Sequence, residues 1–283
     1  MEIKINTAYE MDCVEFLKKL PNESVDLVVT DPPYKLTQKY GTSVDADNLM
    51  AVASLKTLLP EISRVLKKGR FAVIFYDNRI LPFLFDSIKG TDLRYKRQIF
   101  LYRRWGTAHK VFNWMSCTDP VCIFTKGDDK PFRPSEKSQI KHDCYTKSSP
   151  EKVSYGHPAQ KPMEIILDII KAFSDEGDLV CDPYLGSGTT AEASTLLKRN
   201  WVGCDNSGDF ISISNKRLSE IGETQTLIAT QSTLPKAEGF NIGLKVQKSK
   251  ISSPKLSPTE ITSPNPNIRR NSDTPLKRME QLK

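Results

Sequence analysis

The stretch DLVCDPYLGSGTTAEAS, residues Asp178 to Ser194, reads as three structural statements in succession. An apolar run ends in Asp182, a short loop carries Tyr184, Gly186 and Gly188, and GTTAEASTLLKR then has the composition of a helix. Glycines between strand and helix let main chain approach a ligand closely at the carboxyl edge of a sheet. A second apolar run, WVGCD, ends in Asp205, about 20 residues on, where a carboxylate in such folds reaches ribose hydroxyls. The pair implies a nucleoside-bearing cofactor. It is not a dinucleotide fingerprint, since Ala191 stands where the third glycine of GxGxxG belongs, and no Gly-Lys-Ser/Thr follows to make a phosphate loop. An ordinary strand-to-helix turn is the plainer alternative.

Outward from this segment the chain alternates. A helical pattern through Val14, Phe16, Leu17 and Leu20 precedes the strand VDLVVT, with Pro21 at the break. A helix over about 49 to 67 is expected to end in KKG, followed by the buried strand FAVIFY. RQIFLYRR and PVCIFTKG are strand-like; PMEIILDIIKAF reads as a helix opened by Pro162, and FISISNKRLSEI as the last helix. Strands alternating with helices indicate an α/β domain with a doubly wound, mostly parallel sheet. This domain is expected to span 1–222. From 223 to 283 Ser, Pro, Thr, Asn and Lys dominate, with too few apolar residues to offset the entropy of ordering the chain, so a disordered tail is expected there.

The composition of the 283 residues, 38% hydrophobic and 27% charged, is that of a globular protein, and no apolar run approaches the roughly 20 residues that span a bilayer. The N-terminus lacks the pattern of a signal peptide, which makes the cytoplasm the expected compartment. Six scattered cysteines form neither a CxxC pair nor a zinc-like grouping, as expected of free thiols in a reducing compartment; no metal is expected. Of the net charge of +7, a surplus of six lies in residues 241–283, with nine Lys/Arg against three Asp/Glu. A basic tail suits a polyanionic partner or is simply solvated.

TDPPY, Thr30 to Tyr34, follows directly on VDLVV. It has the makings of a rigid turn with a core tyrosine. A more specific reading is a slot for a planar base bearing an amino group: Asp31 accepts from an exocyclic N–H, Pro32 and Pro33 fix the turn's carbonyls, and Tyr34 offers a flat face.

DPPY followed much later by DPYLGSGTT resembles the amino-methyltransferases of DNA, in which the first is the catalytic motif and the second the cofactor motif. With the catalytic motif first, the order resembles the circularly permuted beta class, and MDCVEFLKKLPNESVDLVVTDPPY, RVLKKGRFAVIFYDN, HPAQKPMEIILDII and GCDNSGDFISISNKRL extend the similarity over nearly all of residues 1 to 220. Ala159, Tyr184 and Ser207 depart mildly from the usual pattern at their positions.

The resemblance implies a seven-stranded Rossmann-like methyltransferase fold, S-adenosylmethionine as cofactor and double-stranded DNA as substrate. It implies catalysis by Asp31, Pro32, Pro33 and Tyr34. Around the cofactor it places Asp182, Gly186 and Gly188 at the methionine part, Asp205 at the ribose, and Asp12 and Cys13 at the adenine, with Tyr184 as a further cofactor-binding residue. Cys13 equally suits a small buried residue, and Lys161 either contacts the cofactor carboxylate or starts a helix. An aspartate opening the tetrapeptide is usual for adenine N6 and a serine for cytosine N4, so adenine is expected and cytosine is the alternative. An inert nucleic-acid-binding module is the alternative of another class. A homodimer and a cognate restriction endonuclease are further partners that the resemblance allows.

Between Arg94 and Lys110 lie six Lys/Arg and no carboxylate, interleaved with Tyr95, Phe100, Tyr102 and Trp105. This suits phosphate neutralisation with stacking, or equally a strand with aromatics inward and solvated charges outward. The polar segment 127–156 falls where the family places a target-recognition insertion.

Overall fold

The computed structural model describes residues 2–33, 46–109, 114–128, 131–133, 143–146 and 160–232. Its elements are β1 (Thr7–Glu10), α1 (Cys13–Lys18), β2 (Val25–Thr30), α2 (Ala46–Val65), β3 (Leu66–Phe75), α3 (Leu81–Ser87), β4 (Leu93–His109), β5 (Trp114–Lys126), β6 (Cys144–Thr146), α4 (Met163–Phe173), β7 (Leu179–Asp182), α5 (Thr189–Leu196), β8 (Asn200–Asp205) and α6 (Gly208–Ser232). They form one sheet in the order β1-β8-β7-β2-β3-β5-β4-β6. β1, β8, β7, β2 and β3 pair in parallel, β5 runs antiparallel to β3 and β4, and β6 joins β4 in parallel. All belong to one compact unit, Met1–Leu234. None of the described helices is long and apolar enough to cross a membrane.

The central strands carry unbroken apolar runs because helices cover both faces of the sheet, and side chains alternate between two cores. Val28, Ala72, Ile74, Cys181, Val202 and Cys204 pack on one face with Phe16 and Leu17 of α1 and Leu55, Leu58, Leu59 and Ile62 of α2. Leu27, Val29, Val73, Val180 and Trp201 pack on the other with α4 and α5. On α4 the buried residues are Ile165, Ile166, Ile169 and Ile170, a stripe at helical spacing. Each such side chain, fully buried, contributes about 1.5–3 kcal/mol.

The doubly wound, mostly parallel α/β fold is the one expected, with differences of detail. The sheet has eight strands among the described residues, where seven were expected. TAYE (β1) and CYT (β6) are too short to show a period. The helix expected to reach 67 stops at Val65, and KKG belongs to β3. Val25 pairs with Leu66 but Leu27 with Phe71, so the intervening residues bulge from the ladder, and Gly69 takes a φ of 72° there. That conformation is shared by helix caps and bulges, so the glycine by itself does not separate the two. Helix α6 continues to Ser232, past the boundary expected at 222. The expected tail beyond 232 and most of the segment 127–156 lie outside the described residues.

Candidate active site

Four neighbouring parallel strands, β1, β8, β7 and β2, end at the same edge of the sheet, and each delivers a carboxylate there: Glu10, Asp205, Asp182 and, one residue past β2, Asp31. From β2 the chain crosses through α2 to β3 on one side, and from β7 through α5 to β8 on the other. The β2–β7 junction is therefore the point where winding reverses, the usual place for a ligand crevice. Registers Val28↔Cys181, Asp182↔Gly203 and Glu10↔Asp205 bring the strand ends level. At roughly 4.8 Å per strand, Asp31, Asp182 and Asp205 fall within about 10 Å of sheet width.

Asp182 is 5% exposed and accepts a hydrogen bond from the Tyr184 amide at 3.0 Å. Burial pushes its carboxyl up to about 7; hydrogen bonds from Thr190 and the Tyr184 amide hold the rise back, and the neighbouring charge of Asp31 adds to it. That coupling ties the DPPY turn to the glycine segment. Asp205 uses both oxygens on main chain, Oδ2 accepting from Gly186 N and Oδ1 from Ser207 N, each at 3.0 Å. It thus closes the loop onto β8, with further lone pairs for hydroxyl donors.

Gly188 caps α5 at φ 80°, ψ 20°. A Cβ there would stand 2.3 Å from Ser214 Oγ and 3.2 Å from Ser214 Cα, so only glycine lets the loop lie on α6. Below the loop Arg217, 3% exposed, donates to Ser187 O (3.3 Å) and Thr189 Oγ1 (3.0 Å) and pairs with Glu192. Gly203 permits a second close approach, since a Cβ would meet Asp182 O at 2.9 Å. Arg217, Ser214 and Gly203 were not anticipated. Ile211, Ser214 and Arg217 recur every three residues along α6, but two of the three are polar and look like an exposed face.

On the α1 side, Cys13 Sγ donates to Tyr184 Oη at 3.0 Å, and burial pushes the thiol up from its ordinary value. The structure thus joins the MDC segment to the glycine loop. Asp12 is the N-cap of α1, with Oδ1 accepting from Val14 N (2.9 Å) and Glu15 N (3.1 Å). Lys161 lies two residues before α4 and pairs with Asp31 Oδ2. Asp31 Oδ1 is buried and has no hydrogen-bond partner among the described residues. Pro32 is buried and Pro33 exposed, while Tyr34 lies outside the described residues.

In the basic stretch, Tyr95 packs edge-on against Phe85 and Phe124, although it is 43% exposed. Arg94 donates to Thr91 O, whereas Lys96 and Arg97 are exposed. At the start of β4 the charges are therefore solvated, while Tyr95 is packed on one edge and exposed on the other. The side chains of 103–110 lie outside the described residues. A cleft of about 550 Å³ between Arg64, Thr91 and Lys126 opens at the opposite edge of the sheet. There Arg64 and Lys126 are spent on main-chain carbonyls and on Glu61 and Glu23, so it offers no free reactive group of theirs.

Asp31 Oδ1, without a donor among the described residues, and the raised carboxyl of Asp182 thus stand with the glycine loop at one edge of the sheet. The N6_N4_Mtase family model, described as DNA methylase, matches residues 25–216. The chain is 27% identical over 231 residues to the type II methyltransferase M.HpaI of Haemophilus parainfluenzae, covering 73% of this chain and 72% of that protein. It is 27% identical over 237 residues to the DNA adenine methyltransferase YhdJ of Escherichia coli (strain K12), covering 73% and 80%. Among solved structures, the M1.HpyAVI–SAM complex superposes with a TM-score of 0.60 at 22% identity, covering 75% of this chain and 98% of that one. The cytosine-N4-specific PvuII DNA methyltransferase gives 0.64 at 18%, covering 76% and 86%.

Proposed function

This chain belongs to the N6_N4_Mtase family of DNA methylases, and from that premise we propose that its carboxyl-edge site methylates the exocyclic N6 of adenine in duplex DNA, the base being flipped out of the helix. The observation that carries the proposal is Asp31: a carboxylate with one oxygen held by Lys161 and the other buried and partnerless among the described residues, beside the glycine segment. A buried polar atom without a partner costs about 1–3 kcal/mol, more when charged, and is retained where a ligand donor completes it.

S-adenosylmethionine, the cofactor, supplies an electrophilic sulfonium methyl group. Gly188 lets the glycine loop pack directly on Ser214 of α6, which fixes the loop at the carboxyl edge beside Asp182. Asp182, Gly186 and Gly188 are assigned to its methionine part, Asp205 to its ribose, and Asp12 and Cys13 to its adenine, with Tyr184, hydrogen-bonded to Cys13, as a further cofactor contact. An amino nitrogen conjugated with an aromatic ring is a poor nucleophile because its lone pair is delocalised. Asp31 Oδ1 and the Pro32 carbonyl accept hydrogen bonds from its two N–H groups, which lets the nitrogen pyramidalise and free that pair. Tyr34 stacks on the extruded base and offsets part of the few kcal/mol that unstacking costs. Duplex DNA is held by exposed basic residues such as Lys96 and Arg97 and by the basic tail.

The test is digestion of DNA methylated by the purified protein to nucleosides, followed by mass spectrometry. N6-methyl-2′-deoxyadenosine is expected. N4-methylcytosine alone would move the target to cytosine, and tight DNA binding with no methyl transferred to any DNA would leave a binding module.

A further inference from the structure

We infer that Lys161 is a positioning residue for Asp31: its ammonium fixes Oδ2 and so leaves Oδ1 as the oxygen presented to the substrate amine. This rests on the reading of Asp31 as the amine acceptor. Three observations carry it. The ammonium is held on two sides, in an ion pair with Asp31 and 5.2 Å from the ring centroid of Phe75, a fully buried residue at the end of β3. Thr30 and Ile74 are in register, so Asp31 and Phe75 leave adjacent strands side by side. A cation over an aromatic face close to a carboxylate is a double attachment, and both side chains of the pair are largely shielded, at 14% and 25% exposure.

The lysine's own main chain is also anchored. Pro162 caps α4 in extended geometry (φ −58°, ψ 133°), and the four buried isoleucines of that helix hold its first turns to the sheet. The effect on Asp31 is orientational. The terminal torsion of an aspartate is broad, so a carboxylate with two free oxygens samples a wide arc. Pinning Oδ2 removes that freedom and directs the remaining acceptor, and the structure has already withheld other partners from Oδ1 among the described residues. A catalytic group displaced by about 1 Å loses on the order of 100-fold in rate.

The competing role, contact with the cofactor carboxylate, makes the opposite kinetic prediction. The experiment uses the full chain and its Lys161→Met, Lys161→Arg and Asp31→Ala variants. Calorimetry gives the S-adenosylmethionine Kd without DNA, and tritiated methyl incorporation into unmethylated genomic DNA gives kcat at saturation. Lys161→Met is expected to lower kcat by about 100-fold with the cofactor Kd within about twofold, while Lys161→Arg, which keeps a cation, stays within about tenfold of wild-type kcat. A Lys161→Met protein with normal saturated kcat overturns the inference, and a cofactor Kd raised tenfold or more alongside it assigns the lysine to the cofactor instead. If Lys161→Met does not melt cooperatively, Lys161→Gln is read by the same criteria. Wild-type protein that transfers no methyl, or an active Asp31→Ala variant, removes the underlying reading of Asp31 and the inference with it. Neither result resembles the Lys161 pattern.

Discussion

Replacing Gly188 by alanine should damage both the fold and the cofactor site, by an amount that splits into two separable parts. The first is conformational: the residue sits at φ 80°, where an L side chain costs about 1–2 kcal/mol. The second is steric, because the new Cβ would lie 2.3 Å from Ser214 Oγ, 3.0 Å from its Cβ and 3.2 Å from its Cα. The two nearest contacts are to the Ser214 side chain, and overpacking of this kind costs about 1–3 kcal/mol. The total, about 2–5 kcal/mol, corresponds to a Tm lowered by roughly 5–15 °C for a domain of this size. Urea unfolding of Gly188→Ala, Ser214→Gly and the double variant apportions the loss. Ser214→Gly alone costs about 0.5 kcal/mol in helix propensity, whereas in the Gly188→Ala background it should recover most of the steric part and none of the dihedral part, a coupling of about 1–3 kcal/mol. Strictly additive effects, or a Gly188→Ala protein within about 0.5 kcal/mol of wild type, would refute the close approach of loop and helix.

Asp182 should leave a signature in pH dependence. Its carboxyl is raised to about 7, so its contribution to stability is fully present below the unfolded-state value near 4 and is lost as pH rises through 7. Urea titrations should show Asp182→Asn gaining on wild type between pH 4 and pH 8; a difference flat in pH would contradict the burial. Removing residues 233–283, which include nine Lys/Arg from 241 onward, should leave the melting temperature unchanged and flatten the slope of log K for DNA against log salt by about 0.9 for each phosphate that the tail neutralises. An unaltered slope would mean that the tail does not touch DNA.

The parts of the fold legible in the sequence are those where burial leaves a period. Strands β2 and β7 and the FAVIF part of β3 read correctly because helices on both faces demand continuous apolar runs, and α4 because four isoleucines share one face. β1 and β6 are invisible in the sequence because strands of four and three residues held by neighbours need no periodicity of their own. The KKG turn reads as a helix cap because a positive φ at Gly69 serves a bulge equally well. At the site, residue types and spacing name Asp31, Asp182, Gly186, Gly188 and Asp205, but not what they touch. Lys161 lies 130 positions from the carboxylate it pairs with, and Arg217 is a charge in a polar helix whose burial is decided by the glycine loop packed over it. Such pairings depend on the sheet's strand order, which local pattern does not encode.

The central claim is that Asp31 acts on the nucleobase amine and not on the cofactor. Single-turnover methyl transfer by Asp31→Ala, with S-adenosylmethionine affinity measured on the same preparation, tests it most directly. Transfer should fall by about 10²–10⁴-fold while cofactor affinity stays near that of wild type. A variant that methylates DNA at the normal rate, or one that loses the cofactor and regains the rate at saturation, would contradict it.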